Sequence, residues 1–250
     1  KHVKVYTDGY RELLADKDIQ AVIAAVPLHL HAQVAVDAML ADKHVLTEKL
    51  MAKNIAQCKL MGRIAAKKNL YLATGHQRHY SVLYDNAVNL IQYGLLGELH
   101  HIRAQWHRGN LPGRDSWQMP VPGGEIPIGG VEKDRFDKIH SQVLSFERQV
   151  NKEKDPVARE ILEHKLAQWK AWDSDSELVE ERALNNGFQE FEFPAGHRRS
   201  ALEELARWRL WERTGGGLMA ELGSHQMDAA GIFCSALRRD GKKAQPLSVH

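Results

Sequence analysis

No run in the 250-residue sequence approaches the ~20 consecutive apolar residues that a bilayer span needs, and the opening KHVKVYTDGY lacks the regions of a signal peptide. Membrane insertion is not expected, and a cytoplasmic setting is. Cysteine is scarce: Cys58 and Cys234 sit far apart in helical patterns and read as buried thiols, without a disulfide framework. A dominant charge sign is missing too, since 34 Lys and Arg stand against 32 Asp and Glu and are interleaved with them, for a net charge of +2. Such a balance speaks against a polyanion partner, and so against nucleic acid. There is no internal repeat, low-complexity tract or HExxH zinc pattern. What is present, at 43% hydrophobic and 26% charged residues, is an ordinary globular composition, long enough for one large or two ordinary domains.

The first third alternates between strand and helix patterns. Residues 10–15 read as a short helix. Residues 21–26 (AVIAAV) read as a strand buried on both faces of a parallel sheet, and 31–40 as a helix with Ala32, Ala35, Val36 and Met39 on one face. A second strand at 45–47, a second helix at 55–67 and a third strand at 70–74 follow. Connections this short make right-handed βαβ units, whose ligands lie at the carboxyl ends of the strands. Those ends carry PLHLH (27–31), EKL (48–50) and GHQRHY (75–80), which brings Lys49 and Arg78 to one edge. Taken singly, a lysine after a strand is usually a solvated residue.

Beyond residue 80 the pattern changes. An amphipathic helix spans 81–93, glycines at 94 and 97 close it, and 98–107 alternates as a strand with Ile102, Ala104 and Trp106 on one side. Residues 1–80 and 81–250 are therefore expected to be separate domains of an α/β protein. Residues 108–130, rich in Gly and Pro, read as a long ordered loop with Trp117 as an anchor. Residues 155–181 are strongly charged, with Ile161, Leu162, Leu166 and Trp169 as a narrow apolar seam. We read about 124–198 as a helical insertion with a solvated face. Residues 188–193 (FQEFEF) alternate as an exposed strand, and 200–211 read as a helix capped by Ser200 with Glu203 at the capping-box position. Arg209 and Trp211 on that helix suit sugar-ring stacking and hydroxyl recognition, or core packing. Both ends of the sequence read as the interior of a longer chain.

The chemistry is expected in 214–228, TGGGLMAELGSHQMD. Read as a helix from Gly217, Glu221, His225 and Asp228 fall within roughly 60° of one another, because i, i+4 and i+7 share a face. Leu218, Leu222, Gln226, Ala229 and Phe233 form a mostly apolar neighbouring arc, which sets the ionisable stripe at the edge of a core, where protonation equilibria are easily shifted. Three glycines allow a sharp entry to the helix or a close approach to a ligand. Spacing alone also permits three solvated residues.

Three segments, VPLHLHAQVAVDAMLADKHVLTEKL (26–50), ATGHQRHY (73–80) and GGGLMAELGSHQMD (215–228), resemble the Gfo/Idh/MocA oxidoreductases in the family's own order. The resemblance implies the C-terminal part of a Rossmann domain, followed by an incomplete substrate-binding α/β domain with a mainly antiparallel sheet. It implies NAD or NADP as cofactor, a sugar, glycoside or polyol substrate, no metal, and a homo-oligomer, dimer or tetramer. Lys49 matches the family's lysine that contacts the substrate hydroxyl on the nicotinamide side. Glu221 and His225 match its Asp-x-x-x-His pair, His225 as general base and Glu221 binding substrate or orienting the imidazole. Pro27, His31 and Glu48 fall on the cofactor side, Arg78 and Tyr80 in the cleft.

Three departures from the family's pattern matter. Leu50 stands where proline usually follows the lysine; if that bond is cis in the family, a non-proline cis bond costs about 3 kcal/mol, and Lys49 would then be displaced. Glu221 is a methylene longer than the usual Asp. The GxGxxG fingerprint, expected to precede Lys1, is absent from the sequence, which leaves the choice between NAD and NADP open. Other readings are a redox-dependent glycosidase, a sugar-binding or scaffold protein that has lost its cofactor, and a metal-assisted hydrolase or lyase using His76, His107, Glu221 and His225.

Overall fold

The structure, a computed structural model, describes residues 3–7, 9–107, 117, 119–127, 130–194, 196, 198–217, 219–238 and 240–248, except the side chains of 132 and 176–178. Two compact units divide the chain: Lys1–Arg108 with Glu212–His250, and Gly109–Trp211.

In the first unit, β1 (Ala21–Ala24), β2 (His44–Thr47) and β3 (Leu72–Thr74) form a parallel sheet in the order β1-β2-β3, with Val22 opposite Val45 and Val45 opposite Leu72. Parallel neighbours need crossover helices, supplied by α2 (His31–Leu40) and α3 (Ile55–Lys68) after a short α1 (Tyr10–Ala15). The α2 face carrying Ala32, Ala35 and Met39 packs with Val45, Met61 and Ala65 into one core. Asn54 caps α3 by accepting from Gln57 N at 2.9 Å, and Asn69, at φ 53°, ends it in the left-handed region. In α4 (Val82–Gln92) and α8 (Ser224–Ala236), the unit gains a packed helix pair.

Three expectations for this unit are corrected. Ile23 is 71% exposed while its neighbour Ala24 is 2% exposed, so β1, the first strand of the sheet order among the described residues, is not buried on both faces. Residues 98–107 form no strand, because no neighbouring strand among the described residues offers them a ladder. Cys58 and Cys234 are free thiols, half-buried instead of buried.

In the second unit, α5 (Lys138–Lys152) and α6 (Pro156–Asn185) pack as a helical pair. Ile139, Val143 and Val150 of α5 are buried, and Phe146 lies 6.4 Å from Trp169 of α6. The i, i+4, i+7, i+11 spacing explains that face. Ile161 is 52% exposed, since the seam follows Leu162, Leu166 and Trp169 at helical spacing and leaves Ile161 outside it. Phe191–Glu192 (β4) and Arg198–Arg199 (β5) pair antiparallel, so strand structure covers only part of 188–193. Ser200 Oγ accepts from Glu203 N at 3.0 Å and starts α7 (Ala201–Ala206), shorter than the expected helix to 211. Glu180 accepts from the free amides of Ala201 and Leu202 at 3.0 and 3.1 Å, which joins α6 to α7. Among the described residues no helix is long and apolar enough to cross a membrane.

Candidate active site

The site grows from the carboxyl end of β2. Glu48 N donates to Ala24 O at 2.9 Å and Gly75 N to Thr47 O at 2.8 Å, which carries the sheet's hydrogen bonding one residue past the strands. A side chain at Gly75 would begin 3.4 Å from Glu48 Oε1, so the glycine leaves bare backbone at the third strand end. Lys49 follows, joined to Leu50 by a cis peptide. Its ammonium group donates to the backbone carbonyl of Glu221 and, at 3.1 Å, to Glu221 Oε2. Lys49 and Glu221 are 172 positions apart, and their side chains are only 12% and 4% exposed.

Glu221 reaches Lys49 from an unexpected geometry. Residues Met219–Gly223 form a π-helical turn that runs into α8, so the stripe does not ride on one continuous α-helix. The wider i→i+5 turn changes the angle per residue, and such turns recur at functional sites. Gly216 and Gly217 enter it at φ 76° and 82°, where an L side chain is strained, and a Cβ on Gly216 would lie 3.3 Å from Ala220 Cβ. The entry is anchored to the sheet: His29 N donates to Thr214 O at 3.1 Å, and Lys53 Nζ donates to the carbonyls of Glu212 and Arg213 at 2.6 and 2.9 Å. Leu218, part of the expected apolar arc, lies outside the described residues.

The three residues of the stripe consequently meet three different neighbours. Glu221 meets Lys49. His225, in the first turn of α8, stacks on Trp106 with ring centroids 6.2 Å apart and planes 28° from parallel. Asp228, buried, accepts from His79 Nε2 at 2.9 Å and from Lys243 Nζ at 3.3 Å, with His76 Nδ1 at 3.7 Å from its second oxygen. Burial pushes the His76 imidazole below its ordinary range; the Asp228 carboxylate opposes this, and the charges of Lys243, His79 and Lys49 add to it.

The remaining expected residues divide. Arg78 Cζ lies 5.2 Å from the Trp106 ring centre and 5.6 Å from that of Tyr84. Pro27 opens the turn Leu28–Leu30, and Glu48 is exposed beside Lys49. Tyr80 is 66% exposed, its hydroxyl 3.4 Å from Thr74 O. His31 is different: at 1% exposure, its Nδ1 faces Leu50 O at 2.6 Å and its Nε2 faces Val26 O at 2.8 Å. With both nitrogens turned to backbone carbonyls, the ring ties the first two strand-end loops together and offers neither nitrogen to a dinucleotide. What the structure shows for His31 is that it holds backbone.

Arg209 and Trp211 belong to the Gly109–Trp211 unit. Arg209 lies 4.4 Å over the Trp208 ring. The guanidinium of buried Arg199 lies 4.7 Å over Trp211 and pairs with fully buried Glu204 at 2.8 Å, while Phe193 stands 5.9 Å from the same indole. Packing is what the structure displays for Trp211.

Sequence reasoning missed Tyr84 and Lys243 and took Trp106 for a strand residue. Periodicity could find Tyr84 and Phe233 on one face each, but nothing in it pairs them across two helices. Among the described residues no group of three His, Cys, Asp or Glu is arranged to hold a metal ion.

Residues 1–76 match a family described as "Oxidoreductase family, NAD-binding Rossmann fold". Over those residues the chain is similar to the Gfo/Idh/MocA oxidoreductases, the family so described. An oxidoreductase of Schizosaccharomyces pombe, named as uncharacterized, is 34% identical over 49% of this chain and 33% of its own length. The dTDP-3,4-didehydro-2,6-dideoxy-alpha-D-glucose 3-reductase of Streptomyces violaceoruber is 26% identical over 95% of this chain and 72% of its own. A crystal structure of a 3-ketoreductase from Actinomadura kijaniata with TDP-benzene and NADP shares 29% identity over 36% of this chain and 28% of that one, with a TM-score of 0.35. The chain spans about a third of the length of the first curated relatives it matches, at 33%, 37% and 35%.

Proposed function

We propose that this chain carries the reacting groups of an NAD(P)-dependent oxidoreductase acting on a hydroxyl or keto carbon of a sugar, glycoside or polyol. One observation carries the reading: the Lys49 ammonium, at a strand end of the nucleotide-binding sheet, meets buried Glu221, with His225 one turn further along the same helical segment. Residues 1–80 are the cofactor side, 81–250 the substrate side, and about 124–198 an insertion in the latter.

The residues fit a nicotinamide-containing cofactor at the strand ends, where Pro27, Glu48, Lys49 and Arg78 would hold it and His31 fixes the carbonyls of Val26 and Leu50. Bound there, NAD(P) supplies the two-electron acceptor or donor for a hydride. In the oxidative direction His225 accepts the hydroxyl proton while the same carbon gives up its hydride, so that one carbinol yields one carbonyl and one proton. Lys49 stabilises the oxygen as negative charge develops on it, which counts for most where water is excluded. Glu221 aims the ammonium group and accepts from substrate hydroxyls.

Incubation of the complete protein with NAD(P) and a panel of sugars, glycosides and polyols tests this proposal. A keto product with an equal amount of NAD(P)H is expected. Cleaved glycoside without net NAD(P)H would mean a redox-dependent glycosidase, and failure of either dinucleotide to bind would mean a sugar-binding protein.

A further inference from the structure

We infer that Trp106 is a positioning residue for His225, setting the plane of the imidazole that receives the substrate proton; the inference rests on the reading of His225 as the base. Trp106 lies in a segment that joins no strand, so its place owes nothing to a sheet ladder. What holds it is a series of ring contacts that starts and ends on α8. Phe233 of α8 stacks on Tyr84 of α4, with centroids 5.4 Å apart and planes 10° from parallel. The Arg78 guanidinium lies 5.6 Å from Tyr84 and 5.2 Å from Trp106, and Trp106 stacks on His225 at 6.2 Å. From His225 to Phe233 is about two turns of helix. The ladder therefore braces one helix against itself through Arg78, which comes from the turn after β3.

This arrangement suits a base. An imidazole rotates about two side-chain bonds, and only one orientation points a ring nitrogen at the substrate. A hydrogen bond to the far nitrogen is one way to fix that orientation. Stacking fixes the plane and consumes neither nitrogen. The cation of Arg78, 5.2 Å from the centre of the same indole, adds a cation–π contact that holds the ring. Arg78 thereby acquires a second task beside any contact with a dinucleotide: it holds the indole that holds the base.

The test compares Trp106→Ala and Trp106→Phe in the complete protein, labelled with ring-¹³C histidine, the His225 signal being assigned by its loss in His225→Asn. In the parent protein the indole should shift the His225 Cε1–H signal upfield. Trp106→Ala should move that signal downfield and lower kcat about tenfold with little change in KM for the dinucleotide, because a misaimed base costs rate more than binding. Trp106→Phe, which keeps a ring, should restore most of both. An unmoved signal in Trp106→Ala would overturn the inference, and so would a moved signal with unchanged kcat. If His225→Asn itself leaves turnover intact, the base assignment fails while the ring-current shift still reports the stack, so the two failures are separable.

Discussion

Replacing His225 with alanine in the complete protein is expected to lower kcat by ~10² or more while leaving dinucleotide affinity near normal. The imidazole lies on α8 and not in the segments 27–31 and 48–50, so its removal takes away the proton acceptor and leaves those segments' own residues unchanged. The stack with Trp106 is lost too, but His225 is only half-buried, and a moderate loss of stability should not unfold the unit. Steady-state rates with tryptophan-quenching titrations of NAD and NADP measure the two effects separately. Unchanged turnover would remove His225 from the chemistry.

Lys49→Met should damage turnover and stability together, for different reasons. Turnover falls because the developing alkoxide loses its cation, at a cost of about 10²–10³ for a group of this kind. Stability falls because Glu221, at 4% exposure, is left as a buried carboxylate without its cation, a change that typically costs about 3–5 kcal/mol. Two companions separate the causes. Lys49→Arg keeps the charge and should hold the unfolding midpoint nearer the parent's, yet its planar fork cannot put a point charge in the same place, so turnover stays low. Lys49→Met with Glu221→Gln removes both charges and should regain much of the stability without regaining activity. Should Lys49→Met lose stability alone, with normal turnover per folded molecule, the pair would be a packing feature.

How much of this was legible in the sequence depended on whether the relevant physics was local. The helices at 10–15 and 31–40 appear with the bounds that their apolar spacing and flanking turns dictate, because 3.6-residue periodicity is a property of the segment itself. Lys49 and Glu221 could be named from motif order. Their hydrogen bond could not, since it depends on where 172 residues of intervening chain bring the second segment. The burial of β1 was misjudged because AVIAAV carries no sign of what covers its second face. In the same way 98–107 alternates like a strand, but a strand exists only with a partner.

The helical stripe shows the limit most clearly. Glu221, His225 and Asp228 share a face only if every turn is α-helical, and the triple glycine with its two left-handed residues leads into a π turn that periodicity has no means to anticipate. His31 was legible as a residue of the loop after the first strand. Its actual work, holding two carbonyls from two different loops, follows from burial that no pattern at 27–31 encodes. Trp106 gave the weakest signal of all, an aromatic in an alternating run, and its ring stacks on the His225 imidazole.

The central claim is that this constellation transfers a hydride from a carbinol carbon to a nicotinamide. Substrate deuterated at that carbon, incubated with the complete protein and either NAD or NADP, tests it most directly when the reduced dinucleotide is isolated and read by mass spectrometry and NMR. The account predicts one deuterium per keto product, on the nicotinamide ring and on one face only, with none released to water. Deuterium recovered in the solvent, or turnover that leaves the dinucleotide unlabelled, would contradict it.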